Sequence, residues 1–170
     1  MAKAMLKAAP KTKSAVKKAV KLAPVPEGMA WVTPYLTVKC PETAMAFYTK
    51  AFGFTKKFAM PGEDGKIMHA EMSYKDNSVM MGPECAEAKD LTPTALQGFS
   101  VTMYVYTENV DKIAEQARKA GAKIVKEPKD QFWGDRTATI TDTDGHRWMF
   151  ATRVKDFKPE TCCGGESTCG

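Results

Sequence analysis

The sequence predicts an α+β fold: two tandem β-α-β-β-β units forming a partly closed barrel with an interior cavity. Three observations carry this. One order of apolar periods, strand, helix and three strands, starts at Trp31 and starts again at Phe99. The landmarks of the two passes keep one offset: Gly53 to Gly121 is 68 residues, and Asp76-Asn77 to Asp144-Gly145 is also 68. Each pass supplies a single helix for a four-strand sheet, so one face of each sheet stays uncovered and pairing of the units encloses a cavity.

Taken in order, residues 31–39 (WVTPYLTVK) alternate as a strand. Pro41 suits a helix start, and Ala44, Phe47, Tyr48, Ala51 and Phe52 fall on one helical face. Gly53 is placed to end that helix in a left-handed conformation. Strand-like runs follow at 54–60, 66–75 and 78–82, punctuated by Pro61-Gly62 with Gly65, and by Asp76-Asn77. The second unit opens with 99–107 (FSVTMYVYT). Asn109 is an N-cap for a helix carrying Val110, Ile113, Ala114 and Ala117, which Gly121 ends. Strands close it at 123–127, 135–142 and 146–152, with Asp144-Gly145 as the last turn. The units run from about 30 to 84 and from about 98 to 153.

The chain has 170 residues, 44% hydrophobic and 26% charged, which excludes a wholly disordered chain. It has no apolar run long enough for a membrane span and no secretory core, so a soluble, cytoplasmic protein is expected. The net charge of +5 is a property of one end. Residues 1–28 hold seven lysines against Glu27 alone, so the other 142 residues sum to −1. This Lys/Ala-rich stretch reads as a disordered tail, able to make nonspecific contact with nucleic acid through its lysines. Residues 158–170 form a second tail, with Cys162, Cys163 and Cys169. Five cysteines without an export signal argue against a disulfide framework. Residues 29–157 are then the folded domain.

Two segments carry a family likeness. PYLTVKCPETAMAFYTKAFGF resembles the opening of the glyoxalase, bleomycin-resistance and extradiol-dioxygenase (vicinal oxygen chelate) superfamily. WGDRTATITDTDGHRWMFAT is similar to the closing strands of its PhnB-like branch. The resemblance covers about residues 30–155. It implies a cavity between paired units, commonly a homodimer, and in metal-dependent members His, Gln or Glu ligands on the first and last strand of each unit. Carried across, those positions fall on Thr33, Met81, Thr102 and Met149. Threonine and thioether are poor ligands for zinc, nickel or magnesium, so no metal and no cofactor is expected.

Alternation assigns the cavity face. On 66–75, Ala70 and Met72 point to the helix with Met68, leaving His69, Glu71 and Ser73 facing the cavity. The same parity gives Tyr35 and Thr37 on the first strand, Thr102, Tyr104 and Tyr106 on the fifth, and Arg147 and Met149 on the last. His69 and Glu71, two apart on one strand, are placed for proton transfer or for an ordinary hydrogen-bonded pair. Arg147 offers planar donors to an anionic ligand or a salt bridge to an acid such as Glu71. The three tyrosines suit a planar ligand or a packing contact. Trp133 in QFWGDR is placed as a rim or lid, because Gly134 lets the chain turn there. His146, just after the last turn, reads as structural. The expected function is small-molecule binding, of a planar or anionic compound. The alternatives are a glyoxalase-type lyase or isomerase using His69 and Glu71 as acid and base, or a metal-dependent dioxygenase.

Overall fold

A computed structural model describes residues 23–26 and 29–156. Residues 1–22, 27, 28 and 157–170 lie outside it, and with them most of the lysine-rich segment expected to meet nucleic acid and all three C-terminal cysteines. The elements run β1 (Tyr35–Val38), α1 (Pro41–Phe52), β2 (Thr55–Pro61), β3 (Ile67–Tyr74), β4 (Asn77–Pro83), β5 (Thr102–Tyr106), α2 (Val110–Lys119), β6 (Lys123–Asp130), β7 (Asp135–Thr141) and β8 (Arg147–Arg153). The duplicated order is therefore real. Each half is a four-stranded mixed sheet, ordered β1-β4-β3-β2 and β5-β8-β7-β6. In each, only the first and last strands run parallel.

Local chemistry fixes the helix ends. Pro41 opens α1, where its missing N–H costs nothing, and Gly53 closes it at φ 74°, donating to the Tyr48 and Thr49 carbonyls. Asn109 caps α2 by accepting from the Lys112 amide at 2.9 Å. The helix ends at Lys119, and Gly121 follows at φ 97°.

Two expectations need correction. The first strand begins at Tyr35, so Thr33 lies in the approach to it, where Trp31 and Val32 are exposed. Pro34 has no amide hydrogen to give a ladder and contributes only its carbonyl, to Met80. The second correction concerns register. In β3–β4, Ala70 sits opposite Met81 and Glu71 opposite Met80. In β7–β8, Ala138 sits opposite Phe150 and Thr139 opposite Met149. The first hairpin turns on Lys75-Asp76 and the second on residues 142–146, so the halves fall one residue out of step at their last strands. Met81 is consequently buried toward the helix, and Met80 occupies the open face.

The core lies between helices and sheets and runs through both halves. Tyr48, Phe52 and Phe54 from the first half meet Trp148 and Phe150 from the second, with Phe52 and Phe150 centroids 4.8 Å apart and Tyr48 edge-on to Trp148 at 5.4 Å. All five rings are at most 1% exposed, and burying each contributes roughly 1.5–3 kcal/mol. Below them the Asp142 carboxylate accepts from the Tyr48 hydroxyl at 2.8 Å and the Trp148 indole at 2.9 Å. Among the described residues no strand pairing joins the two sheets. The helices and this aromatic core connect them, and both sheets stay open on their other faces.

Candidate functional site

The open faces carry the polar and aromatic residues expected there, gathered into three groups. The first is on β3. Its alternation buries Ala70 and Met72 and turns His69 and Glu71 outward, with 22% and 20% of their side chains exposed. His69 Nε2 lies 3.7 Å from a Glu71 oxygen, and its Nδ1 lies 3.5 Å from the Tyr35 hydroxyl, whose ring stacks on the imidazole. Tyr35 crosses β4 at Gly82, where any Cβ would collide with its hydroxyl. Lys57 Nζ is 3.9 Å from the other Glu71 oxygen and donates to Ser78 at 2.9 Å. Glu71 thus meets Lys57 and His69, not Arg147. Residues 24–26 and 29–33 lie beside this group, leaving a space of about 490 Å³ over Lys57, Glu71 and Met80.

The second group is on the other sheet. Tyr104 and Tyr106, both outward on β5, donate to one oxygen of Asp135 at 2.6 and 3.0 Å. Asp135 itself is 5% exposed. Burial, followed by the hydrogen bond to Asp135, pushes the Tyr104 phenol up to about 12. The bond to Asp135 is the leading cause of an upward shift at Tyr106. Both phenols therefore remain donors through the neutral range. Gly134, at φ 96° and packed against the Lys155 carbonyl, turns the chain so that Trp133 stands beside Tyr106. With Asp135, Arg153 and Lys155 they border a depression of about 400 Å³.

The third group lies along β1 and the chain entering β5. Tyr35, Thr37 and Arg147 line a groove of about 470 Å³. The Arg147 guanidinium lies 3.6 Å above the centre of the Phe99 ring. His146 Nε2 sits 2.8 Å from the Thr37 carbonyl, an acceptor only, so that nitrogen carries a proton and ties the halves together. Thr102 faces Arg147 in register, and Met149 faces Tyr104.

The sequence profile of the Glyoxalase/Bleomycin resistance protein/Dioxygenase superfamily matches residues 28–150. The chain belongs to this superfamily. An uncharacterized protein of Mycobacterium tuberculosis (strain H37Rv) is 35% identical over 128 residues, covering 74% of this chain and 75% of the relative. One from Mycobacterium bovis has the same identity over 84% of its length. Among solved structures, TioX from Micromonospora sp. ML1 superposes with a TM-score of 0.59 at 24% identity, over 74% of this chain and 99% of that one. A glyoxalase/bleomycin resistance protein/dioxygenase family enzyme from Burkholderia phytofirmans PsJN gives 0.54 at 16%, over 72% and 96%. These structural likenesses concern the fold.

The superfamily's ligand positions can now be read from the register. On the first and last strands of each half, the open-face residues that pair in register are Tyr35 with Met80 and Tyr104 with Met149, while Thr102 pairs with Arg147. Sequence reasoning missed Asp135, the residue that organises both tyrosines. The signal was present, since Asp135 shares parity with Thr137 and Thr139 against Ala138 and Ile140. Lys57, Phe99, Arg153 and Lys155 carried no pattern that marked them.

Proposed function

We propose that the protein binds a small planar, anionic compound on its open faces, with the principal contact at the depression beside Trp133. The observation that carries this is the shared hydrogen bonding of Tyr104 and Tyr106 to buried Asp135. Two rings are held in place before any ligand arrives, so little side-chain entropy is lost on binding. Trp133 and Tyr106 supply flat apolar area, and Lys155 supplies positive charge beside Arg153, which is paired with Asp156. The test is quenching of tryptophan fluorescence by a panel of planar aromatic anions. Trp148 is fully buried in the core, so Trp133 is a principal reporter beside the exposed Trp31. Affinity should fall at least tenfold in Tyr106→Ala; unchanged affinity in that variant overturns the reading.

This reading is metal-free, and the donor chemistry supports it. The paired open-face positions hold two phenols and two thioethers, with the Thr102 hydroxyl beside them, and these do not fit a divalent ion. The His69–Glu71 pair has Lys57 beside its carboxylate, a cation opposing a second positive charge. No reaction step is therefore derived through a metal. A second reading has one observation in its favour: His69 stands between a carboxylate and a phenol, an arrangement suited to moving a proton in a lyase or isomerase step. Exchange of the proton next to a substrate carbonyl, lost in His69→Gln, would support it.

We further assign a homodimer in which a second copy covers the open faces, because Tyr35, Phe58 and Met60 are 56%, 49% and 46% exposed there. Sedimentation should show a dimer that Phe58→Glu dissociates. Among the described residues no helix is long and apolar enough to cross a membrane. The unpaired thiols of Cys40 and Cys85 suit a reducing cytoplasm, and the closing strands support placement in the PhnB-like branch.

A further inference from the structure

The chain has four arginines, and three of them meet carboxylates. Arg118 meets Glu115 and Glu127, Arg136 meets Asp111 and Asp130, and Arg153 meets Asp156. Arg147 meets none. Among the described residues its one specific contact is the Phe99 ring, and its Nε is buried with no hydrogen-bond partner. A buried donor left unpaired costs stability, and native structures rarely retain one without use. The groove around it is about 470 Å³, within the range of ligand sites. Leu91, Leu96 and Val101 give it apolar walls, and Thr37 and Ser100 add hydroxyl-bearing residues. No aspartate or glutamate lines it among the described residues. A guanidinium in an apolar groove without a counter-charge attracts an anion, and its planar fork favours a carboxylate. Phe99, stacked on the guanidinium, holds its plane.

We propose that this groove is a second binding site, for a carboxylate carried on an aromatic or aliphatic body. The carboxylate meets Arg147 and the body lies against Leu91, Leu96 and Val101. Among the described residues none lines both this groove and the depression at Trp133, so the two sites are tested separately. The probes are 2-naphthoate and its neutral partner 2-naphthamide, titrated calorimetrically into the full chain carrying Tyr106→Ala, so that the depression at Trp133 does not contribute to the reading. Naphthoate should bind at least tenfold more tightly than the amide. Arg147→Met, which keeps the apolar stem, should weaken naphthoate ten- to a hundredfold and leave the amide unchanged. Arg147→Lys, which keeps the charge but not the fork, should fall between. Trp133→Ala should leave naphthoate affinity in the groove intact. Equal affinity for the two probes, no detectable naphthoate binding, or full affinity in Arg147→Met each overturns the proposal. If Arg147→Met does not fold, full affinity in Arg147→Lys together with equal binding of the amide does so.

Discussion

Asp142 shows how much one side chain can hold. One of its oxygens takes the Tyr48 hydroxyl and the Trp148 indole, and the other takes the Asp144 and His146 amides at 3.0 and 2.9 Å. Burial, then the Asp142 charge, holds the Tyr48 phenol well above the ordinary range, so it remains a donor. Asp142→Asn would turn an NH₂ either toward the two backbone amides or toward the Trp148 indole, which can only donate, and so break at least one of these bonds and remove the charge from the rest. We expect a loss of about 3 kcal/mol in urea unfolding; a loss below about 1 kcal/mol would mean the carboxylate does not brace the core. Tyr104 gives a prediction in pH. Its pKa of about 12 lies above the ordinary tyrosine value of 10. The folded state thus holds the proton more firmly than the unfolded chain. The stability it contributes is complete below pH 10 and is lost as pH rises through about 12. Asp135→Asn should bring the phenol only part of the way down, because burial is the larger cause; tyrosinate absorbance reads this directly. Alternation in sequence placed Tyr104 and Tyr106 on the right face. It said nothing of their shared acceptor, because a partner 29 or more residues away is set by sheet order, not by spacing.

Among the elements, those with local punctuation were legible and those that depend on a neighbour were not. Pro41, Gly53 and Asn109 mark helix ends through their own backbone or side-chain chemistry, and the helices fall where these residues put them. β1 was read too long because alternation continues through Trp31 and Val32, while pairing needs an amide that Pro34 lacks. Equal spacing of turn residues conceals unequal turns, so the position carried across to β4 falls on buried Met81 while Met80 takes the open face. Two substitutions test the punctuation. Asn109→Ala should cost about 1 kcal/mol. The loss stays that small because Thr152 Oγ1 still accepts from the Val110 amide at 2.9 Å. Gly53→Ala meets no atom within 4 Å, so only its φ of 74° opposes it; the cost should again be about 1 kcal/mol. Thermal unfolding distinguishes these from Gly134→Ala, where a Cβ would meet the Lys155 carbonyl at 2.5 Å. That substitution should be the most damaging of the three and should also disturb Trp133.

For the whole molecule, duplication in sequence suggests two units that fold separately, while the core argues for one. Each sheet covers only one of its faces with its own helix, and α1 packs on α2. The rings that fill this junction come from both halves: Phe52 touches Trp148 and Phe150, and Phe54 stands perpendicular to Trp148 at 5.7 Å. Neither half can bury its share alone, so the chain should unfold in one cooperative step. Phe52→Ala removes a fully buried ring at the centre of the junction, and such truncations cost about 3–5 kcal/mol. What matters is where the loss is felt. If the halves were separate folding units, amide exchange would accelerate in β3 and β4 and leave β7 and β8 protected. A shared core requires the β7 and β8 amides to accelerate as much as those of β3 and β4, although the substituted residue lies in α1. Hydrogen exchange resolved to single strands therefore decides whether the two copies are still two domains or have become halves of one.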